Sequence, residues 1–77
     1  RVNGVSAGPL KTLASSALGV SKMMEYTKQT SPLSSSLRAK NVAETSAFLL
    51  SDLAAAITGE IIHVDCGYHA MGAQVPI

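Results

Sequence analysis

The stretch RVNGVSAGPLKT, residues 1–12, decides how the fold of this chain is read. Its first part is short and apolar, and the β-branched Val2 and Val5 predict a strand over 1–5 that ends at Ser6. The run then meets Gly-Pro, a pair that a continuing strand rarely contains. The stretch therefore predicts a strand that stops at a sharp corner.

The corner also predicts the start of a helix. Gly8 accepts any φ, whereas Pro9 fixes its own φ and lacks an N–H. Thr12 is a suitable N-cap for the segment LASSAL, residues 13–18, and Gly19 is a natural stop after it. So short a helix is marginal by itself and depends on its surroundings.

Two further helices are predicted downstream. The segment 21–30 is a weak helix with Ser21 as a possible N-cap, and Pro32 ends it because the residue before a proline avoids the α region. Apolar spacing predicts a third helix over about 40–50, although Arg38 stands where a Ser, Thr or Asp cap is expected. Its predicted buried face consists of Val42, Ser46, Leu49, Leu50 and Leu53, with Ala43 and Ala47 close by.

A second strand is predicted over 61–64, where the sequence is apolar and mostly β-branched. Neither strand alternates cleanly, which is typical of parallel strands covered on both faces. The order strand, helices, strand indicates a βαβ unit within a doubly wound parallel α/β sheet. Such sheets bind ligands beyond the carboxyl ends of their strands, and the corner at 6–12 and the segment 66–71 both lie there.

The composition is that of a protein interior. The chain has 77 residues, of which 47% are hydrophobic and 14% charged, so we expect it to be a piece of a larger domain. The net charge of +1 without a basic block supports neither nucleic acid nor an anionic membrane as a partner. The single Cys66 suits a reducing compartment, because it has no partner for an internal disulfide.

Two motifs carry a resemblance to a known family. The stretch AFLLSDLAAAITGEIIHVDCG, residues 47–67, resembles the usual ending of the short-chain dehydrogenase/reductase superfamily. Most members of that superfamily have Pro-Gly at the corner, whereas this chain has Gly8-Pro9 followed by a basic residue and Thr12. That order resembles the NADH-dependent enoyl-(acyl-carrier-protein) reductases of bacteria and plastids.

The resemblance implies the C-terminal part of a single Rossmann-like domain that comprises its last two strands. Within it, 6–12 would be the cofactor corner, 13–31 a lid over the substrate, and 40–66 the closing helix and strand. The catalytic Tyr and Lys and the Gly-rich nucleotide turn of the family belong to an earlier part of the fold, and nothing here matches them. No catalytic residue is therefore predicted in this chain.

The resemblance also implies the residues that bind NADH. Gly8, Pro9, Leu10 and Thr12 match positions beside the nicotinamide and the pyrophosphate, with the Leu10 backbone bonding the carboxamide and the Thr12 hydroxyl reaching phosphate. A helix start with free N–H groups suits an anion. The alternative is an ordinary strand-to-helix turn in which Thr12 only caps the helix.

Three residues are implied to contact the acyl substrate, namely Ala14, Leu18 and Met23. Small residues leave room for a chain, and methionine is adaptable. Core packing of Leu18 and Met23 is a rival interpretation. Because this chain is about one residue shorter here than some relatives, Met24 is an alternative to Met23.

The motif H-x-x-C-x-x-H, formed by His63, Cys66 and His69, is not predicted to bind metal. A strand alternates its faces, so His63 and Cys66 point apart, and a fourth soft ligand is missing. We expect Asp65 to accept hydrogen bonds from the backbone of the following turn.

The implied activity is reduction of the trans-2 double bond of an acyl chain on acyl carrier protein, with NADH as reductant. The family further implies a homotetramer, in the bacterial cytoplasm or in a plastid. One alternative is another short-chain reductase, such as a ketoacyl-carrier-protein reductase. A second is a non-catalytic, reductase-like interaction module.

Overall fold

A computed structural model describes residues 1–72 of the chain. Strand β1 (Gly4–Ala7) pairs in parallel with β2 (Ile61–Val64), and the register runs from Gly4 opposite Ile61 to Ala7 opposite Val64. This confirms the predicted parallel pair and the bounds of β2. Strand β1 begins and ends later than the predicted 1–5, since the residues before it bond to the loop that leads into β2.

Three helices connect the strands: α1 (Leu13–Ser16), α2 (Val20–Thr30) and α3 (Ala39–Leu50). Short 3₁₀ turns follow α3 at Asp52–Ala54 and β2 at Tyr68–Ala70. Among residues 1–72, no helix has the length and apolar character needed to cross a bilayer.

Helices α1 and α2 differ at their junction from the prediction. Helix α1 stops at Ser16, and Gly19, with a φ of 75°, is the residue before α2 instead of the end of α1. Glycine adopts this left-handed conformation without steric cost, and so lets α2 start at Val20 ahead of the predicted Ser21. The predicted end at Ser31 is confirmed, because that residue is extended.

The start of α3 explains why Arg38 is tolerated as its cap. The backbone N–H of Arg38 donates to Asn41 Oδ1 at 2.9 Å, and the Asn41 N–H donates back to the Arg38 carbonyl at 2.9 Å. The Asn41 side chain thus supplies the returning half of a capping box, and the Arg38 carbonyl accepts from the Asn41 N–H in place of a cap side chain.

Helix α3 packs on the sheet through a narrower face than the sequence predicts. Leu49 is 7% exposed, but Leu50 is 84% exposed and Leu53 is 83% exposed. A step of one residue turns a helix by about 100°, so Leu49 and Leu50 do not share the inward direction. The prediction that Leu50 and Leu53 are buried within this face is wrong for residues 1–72. Ala43 and Ala47 are exposed as well.

Candidate functional site

An open groove lies beyond the carboxyl ends of the two strands, with a volume of about 540 Å³. Its walls come from the corner after β1, one face of α2, and the turn after β2. The lining residues are Ser6, Ala7, Gly8, Pro9, Met23, Tyr26, Thr27, His63, Asp65, Tyr68 and His69. The position is the one at which parallel α/β sheets bind ligands, as the sequence predicts.

Gly8 keeps the two strands together beyond the end of β1. Its N–H donates to the Val64 carbonyl at 3.0 Å. A Cβ at Gly8 would lie 3.2 Å from Asp65 Cβ and 3.3 Å from Asp65 Cα, with Leu37 Cδ2 at 3.4 Å. A side chain at this position would therefore force Asp65 or Leu37 to shift by a few tenths of an ångström, a structural reason for glycine that is independent of any ligand.

Thr12 caps α1, as predicted, and the cap is reciprocal. The Ser15 N–H donates to Thr12 Oγ1 at 3.0 Å, and the Thr12 N–H donates to Ser15 Oγ at 2.7 Å. The Ser15 hydroxyl also donates to the Leu10 carbonyl at 2.7 Å. Ser15 thus connects α1 to the corner through Thr12 and Leu10. The sequence analysis missed this role, although the spacing T-x-x-S could have indicated it.

Two hydrogen-bond donors of the corner, the Leu10 N–H and the Thr12 hydroxyl, are relevant to dinucleotide binding. Within residues 1–72 the Leu10 N–H donates to no acceptor. Thr12 is exposed; its hydroxyl oxygen accepts from the Ser15 N–H, and the hydroxyl itself donates to Ser15 Oγ at 3.0 Å. The free amide is a donor that a carboxamide oxygen would accept from, whereas the Thr12 hydroxyl would have to exchange its bond to Ser15 Oγ for one to a phosphate.

The three predicted substrate residues are placed differently from one another. Met23 lines the groove, whereas Ala14 and Leu18 lie outside its walls. Leu18 is 81% exposed and Met23 is 54% exposed, so neither is packed in a core within residues 1–72. The alternative Met24 lines a separate small cavity behind the corner, so Met23 is the methionine that faces the groove.

Asp65 organises the turn after β2, as expected. Its Oδ1 accepts from the Gly67 N–H at 3.0 Å and its Oδ2 from the His69 N–H at 3.1 Å, and the His69 Nδ1 lies 2.9 Å from Oδ2. Burial by itself would raise the pKa of Asp65. The hydrogen bonds from His69 and Gly67 and the nearby charge of the imidazole outweigh burial and hold this pKa below its usual value of 3.8.

The H-x-x-C-x-x-H motif is split between two directions. The rings of His63 and His69 stack with centroids 3.7 Å apart, while the Cys66 thiol donates to the Ser35 carbonyl at 3.5 Å. No cluster of three or more His, Cys, Asp or Glu side chains suited to a metal ion occurs in the part of the chain described. The histidines instead form one wall of the groove.

Comparison with known proteins adds the family. The family described as Enoyl-(Acyl carrier protein) reductase matches residues 1–69. The chain belongs to this family. It is 51% identical over 73 residues to the enoyl-(acyl-carrier-protein) reductase (NADH) FabI of Synechocystis, a match that covers 94% of this chain and 28% of that protein. The matching family carries the name of the enoyl reductases and not that of the ketoacyl reductases.

Solved structures of family members have the same fold. The enoyl-(acyl-carrier-protein) reductase (NADH) from Aquifex aeolicus superposes with a TM-score of 0.85 at 48% identity, over 95% of this chain and 28% of that one. The reductase from Anaplasma phagocytophilum in complex with NAD gives a TM-score of 0.82 at 37% identity, over 97% and 26%. These matches confirm the predicted Rossmann-like fold of the short-chain dehydrogenase/reductase superfamily. The chain spans less than a third of the length of these relatives.

Four aromatic residues of the groove were not predicted as site residues. These are Tyr26, His63, Tyr68 and His69. The rule that ligands bind beyond the carboxyl ends of strands points to the segment after β2, and could have indicated the last two. No pattern in the sequence indicates that Tyr26 meets them, since that contact depends on how α2 crosses the sheet end.

Proposed function

We propose that this chain is the C-terminal part of an NADH-dependent enoyl-(acyl-carrier-protein) reductase. In this proposal the complete protein reduces the trans-2 double bond of an acyl chain carried on acyl carrier protein, as a step of fatty acid elongation. The family match supports this activity, as do the names of the relatives, which are NADH-dependent enoyl reductases.

One observation carries the proposal. The corner with the order Gly8-Pro9 borders a groove at the carboxyl end of the sheet, and Met23 of α2 borders the same groove. Two of the residues proposed for the cofactor, Gly8 and Pro9, therefore meet one proposed for the substrate, Met23, at one site. Leu10 and Thr12 follow them in the corner, outside the groove lining. A cofactor corner beside a helix that covers the substrate is what hydride transfer between two bound molecules requires.

The residues of this chain would bind and orient, and would not transfer protons. NADH supplies the hydride when bound. The Leu10 N–H would donate to the carboxamide. The Thr12 hydroxyl would turn from Ser15 Oγ to donate to phosphate, while its oxygen still caps α1. Gly8 and Pro9 would hold this corner in place. The catalytic Tyr and Lys would lie outside the chain.

The segment 13–31 would form the lid over the acyl chain. Its exposure supports this role, because Leu13 is 96% exposed and Leu18 is 81% exposed within residues 1–72. Exposed leucines that lie outside the groove would contact substrate only after the segment moves toward it. Ala14 and Leu18 are therefore proposed as contacts of the closed lid, and Met23 as a contact in the present arrangement.

The proposed partners are acyl carrier protein, the remainder of the same polypeptide, and further copies in a homotetramer. Within residues 1–72, β2 pairs with β1 alone, and Ile61 on β2 is 61% exposed. An apolar strand with a bare edge supports association with more protein. Light scattering on the complete protein would test the tetramer.

The proposal is tested with the complete polypeptide that contains this chain. Purified protein should oxidise NADH when given a trans-2-enoyl thioester of acyl carrier protein. The reaction is measured as the loss of NADH absorbance. The matched control is the 3-ketoacyl thioester of the same length. Faster oxidation with the ketoacyl substrate would favour the ketoacyl reductase, and no oxidation with either would favour the non-catalytic module.

A further inference from the structure

Helix α2 contacts the turn after β2 through two tyrosines. The rings of Tyr26 and Tyr68 meet edge to face, with centroids 6.3 Å apart and an angle of 73° between their planes. Both residues line the groove. The pair joins the segment proposed as a lid to the end of the sheet.

Two further contacts fix the carboxyl end of the same segment. The Leu33 N–H donates to the Cys66 carbonyl at 3.1 Å. Gly67, with a φ of 86°, lies so close to Pro32 that a Cβ at this glycine would be 3.0 Å from Pro32 Cγ. The end of α2 is therefore held against the turn after β2 by backbone as well as by side chains.

The amino end of the segment is held by less. Gly19 separates α1 from α2 with a φ of 75°, and no atom lies within 4 Å of where its Cβ would be. Leu13 and Leu18 are almost fully exposed. Val20, the first residue of α2, is only 4% exposed, so α2 is also held at its amino end and the weakly held part of the segment is 13–19. A movement of the lid would begin in that part, while α2 stays beside the tyrosine pair.

We propose that Tyr68 is a positioning residue that holds α2 above the groove through its ring contact with Tyr26. The turn after β2 would then set the width of the groove, and with it the fit of the acyl chain against Met23. This inference rests on the proposed function, because it assigns the groove to the acyl substrate. It adds a residue outside the lid that sets the position of α2 relative to the groove.

The kinetic test compares Tyr68→Ala with Tyr68→Phe in the complete protein. An edge-to-face pair is worth a factor of about three to ten, so Tyr68→Ala should raise the KM for the enoyl thioester by about three- to tenfold. The Kd of NADH should change less than the KM, because Gly8 is held by its bond to Val64 and not by the ring pair. Tyr68→Phe keeps the ring and should keep the parent KM. An unchanged KM in Tyr68→Ala, or an equal loss in Tyr68→Phe, would overturn the proposal.

The partner ring gives a second test. Tyr26→Ala should raise the KM to a similar extent, and the double variant Tyr26→Ala/Tyr68→Ala should be no worse than either single variant, because one contact is lost in each case. Multiplied effects in the double variant would show that the two rings act separately and would overturn the pairing.

Hydrogen exchange separates this inference from the proposed activity. In Tyr68→Ala the amides of α2 should exchange faster, and those of α3 should exchange at the parent rate, whatever reaction the protein catalyses. Faster exchange in α2, together with no enoyl reduction by the parent, would support the positioning role of Tyr68 and reject the proposed function. Unchanged exchange in α2 would reject the positioning role of Tyr68.

Discussion

The two ends of the sheet differ in how their polar groups are used. At the amino end the Arg1 guanidinium donates to the Leu49 carbonyl at 2.9 Å and to the Ala54 carbonyl at 2.7 Å. Asn3 makes two hydrogen bonds to the loop that leads into β2. Its Nδ2 donates to the Ile57 carbonyl, and its Oδ1 accepts from the Glu60 N–H. At the carboxyl end the strands open into a groove lined by aromatic rings.

The difference shows which end is the scaffold and which is the site. Side chains at the amino end satisfy backbone carbonyls of α3 and of the loop after it, so few groups remain for a ligand. At the carboxyl end, the Leu10 N–H has no acceptor in the part of the chain described, and the exposed Thr12 hydroxyl donates only to Ser15 Oγ. Loss of the Arg1 side chain at the first end should therefore affect stability, and loss of the Thr12 hydroxyl at the second should affect binding.

The largest expected effect is at the amino end, in Arg1→Ala. Loss of charge-assisted hydrogen bonds to several carbonyls should lower the free energy of unfolding of the complete protein by about 3 kcal/mol. Denaturation in urea measures it. Arg1→Lys is the matched control and should be intermediate, because an ammonium keeps the charge but not the fork of donors. If Arg1→Ala instead weakened NADH binding and left stability unchanged, the comparison would be wrong.

Two glycines with similar φ give the next effect. Gly67→Ala, at the site end, should cost about 2–3 kcal/mol of stability, since the left-handed conformation and the contact with Pro32 both oppose a Cβ. Gly59→Ala is the control. Its φ is 71°, and nothing lies within 4 Å of its Cβ position, so only the conformational cost of about 1–2 kcal/mol applies. Equal losses in thermal melts of the two variants would show that Pro32 moves aside.

The third expected effect separates binding from capping at Thr12. Thr12→Val should weaken NADH binding by about 1.5–3 kcal/mol, roughly 10- to 150-fold, measured by fluorescence titration of the complete protein. Because Thr12 also caps α1, two controls are needed. Thr12→Ser keeps the hydroxyl and should bind as the parent does. Ser15→Ala removes the bonds of the Ser15 hydroxyl to Thr12 and to the Leu10 carbonyl but keeps the Thr12 hydroxyl, so an equal loss in this variant would assign the effect to the shape of the corner.

The smallest expected effect is the loss of stability of the turn after β2 at low pH. The pKa of Asp65 is lowered in the fold, so the turn that it organises is stabilised at pH values above the usual 3.8. That contribution is lost as the pH falls through the lowered pKa. Carboxyl carbon shifts from NMR should place the midpoint for Asp65 below 3.8, with the Gly67 and His69 amides changing together. A midpoint at or above 3.8 would contradict this, and Asp65→Asn should abolish the change.

Much of the fold follows from local patterns. The strand at 61–64, the parallel pairing, the cap at Thr12 and the third helix were all predicted, because each depends on neighbours in sequence or on one strong period. The errors in these predictions are also local. Gly19 can end one helix or precede the next, and the residues around it do not distinguish the two.

The sequence alone determined the family, through the order Gly8-Pro9 and the ending over 47–67, because these are short segments with fixed composition. The tertiary structure decided what surrounds them. It shows that Gly8 lies close against Asp65, that Leu50 is exposed while Leu49 is buried, and that Tyr26 meets Tyr68. The physical reason is distance along the chain. The contacts across the sheet end join residues far apart in sequence, and their geometry exists only once α2 has packed across the ends of the strands.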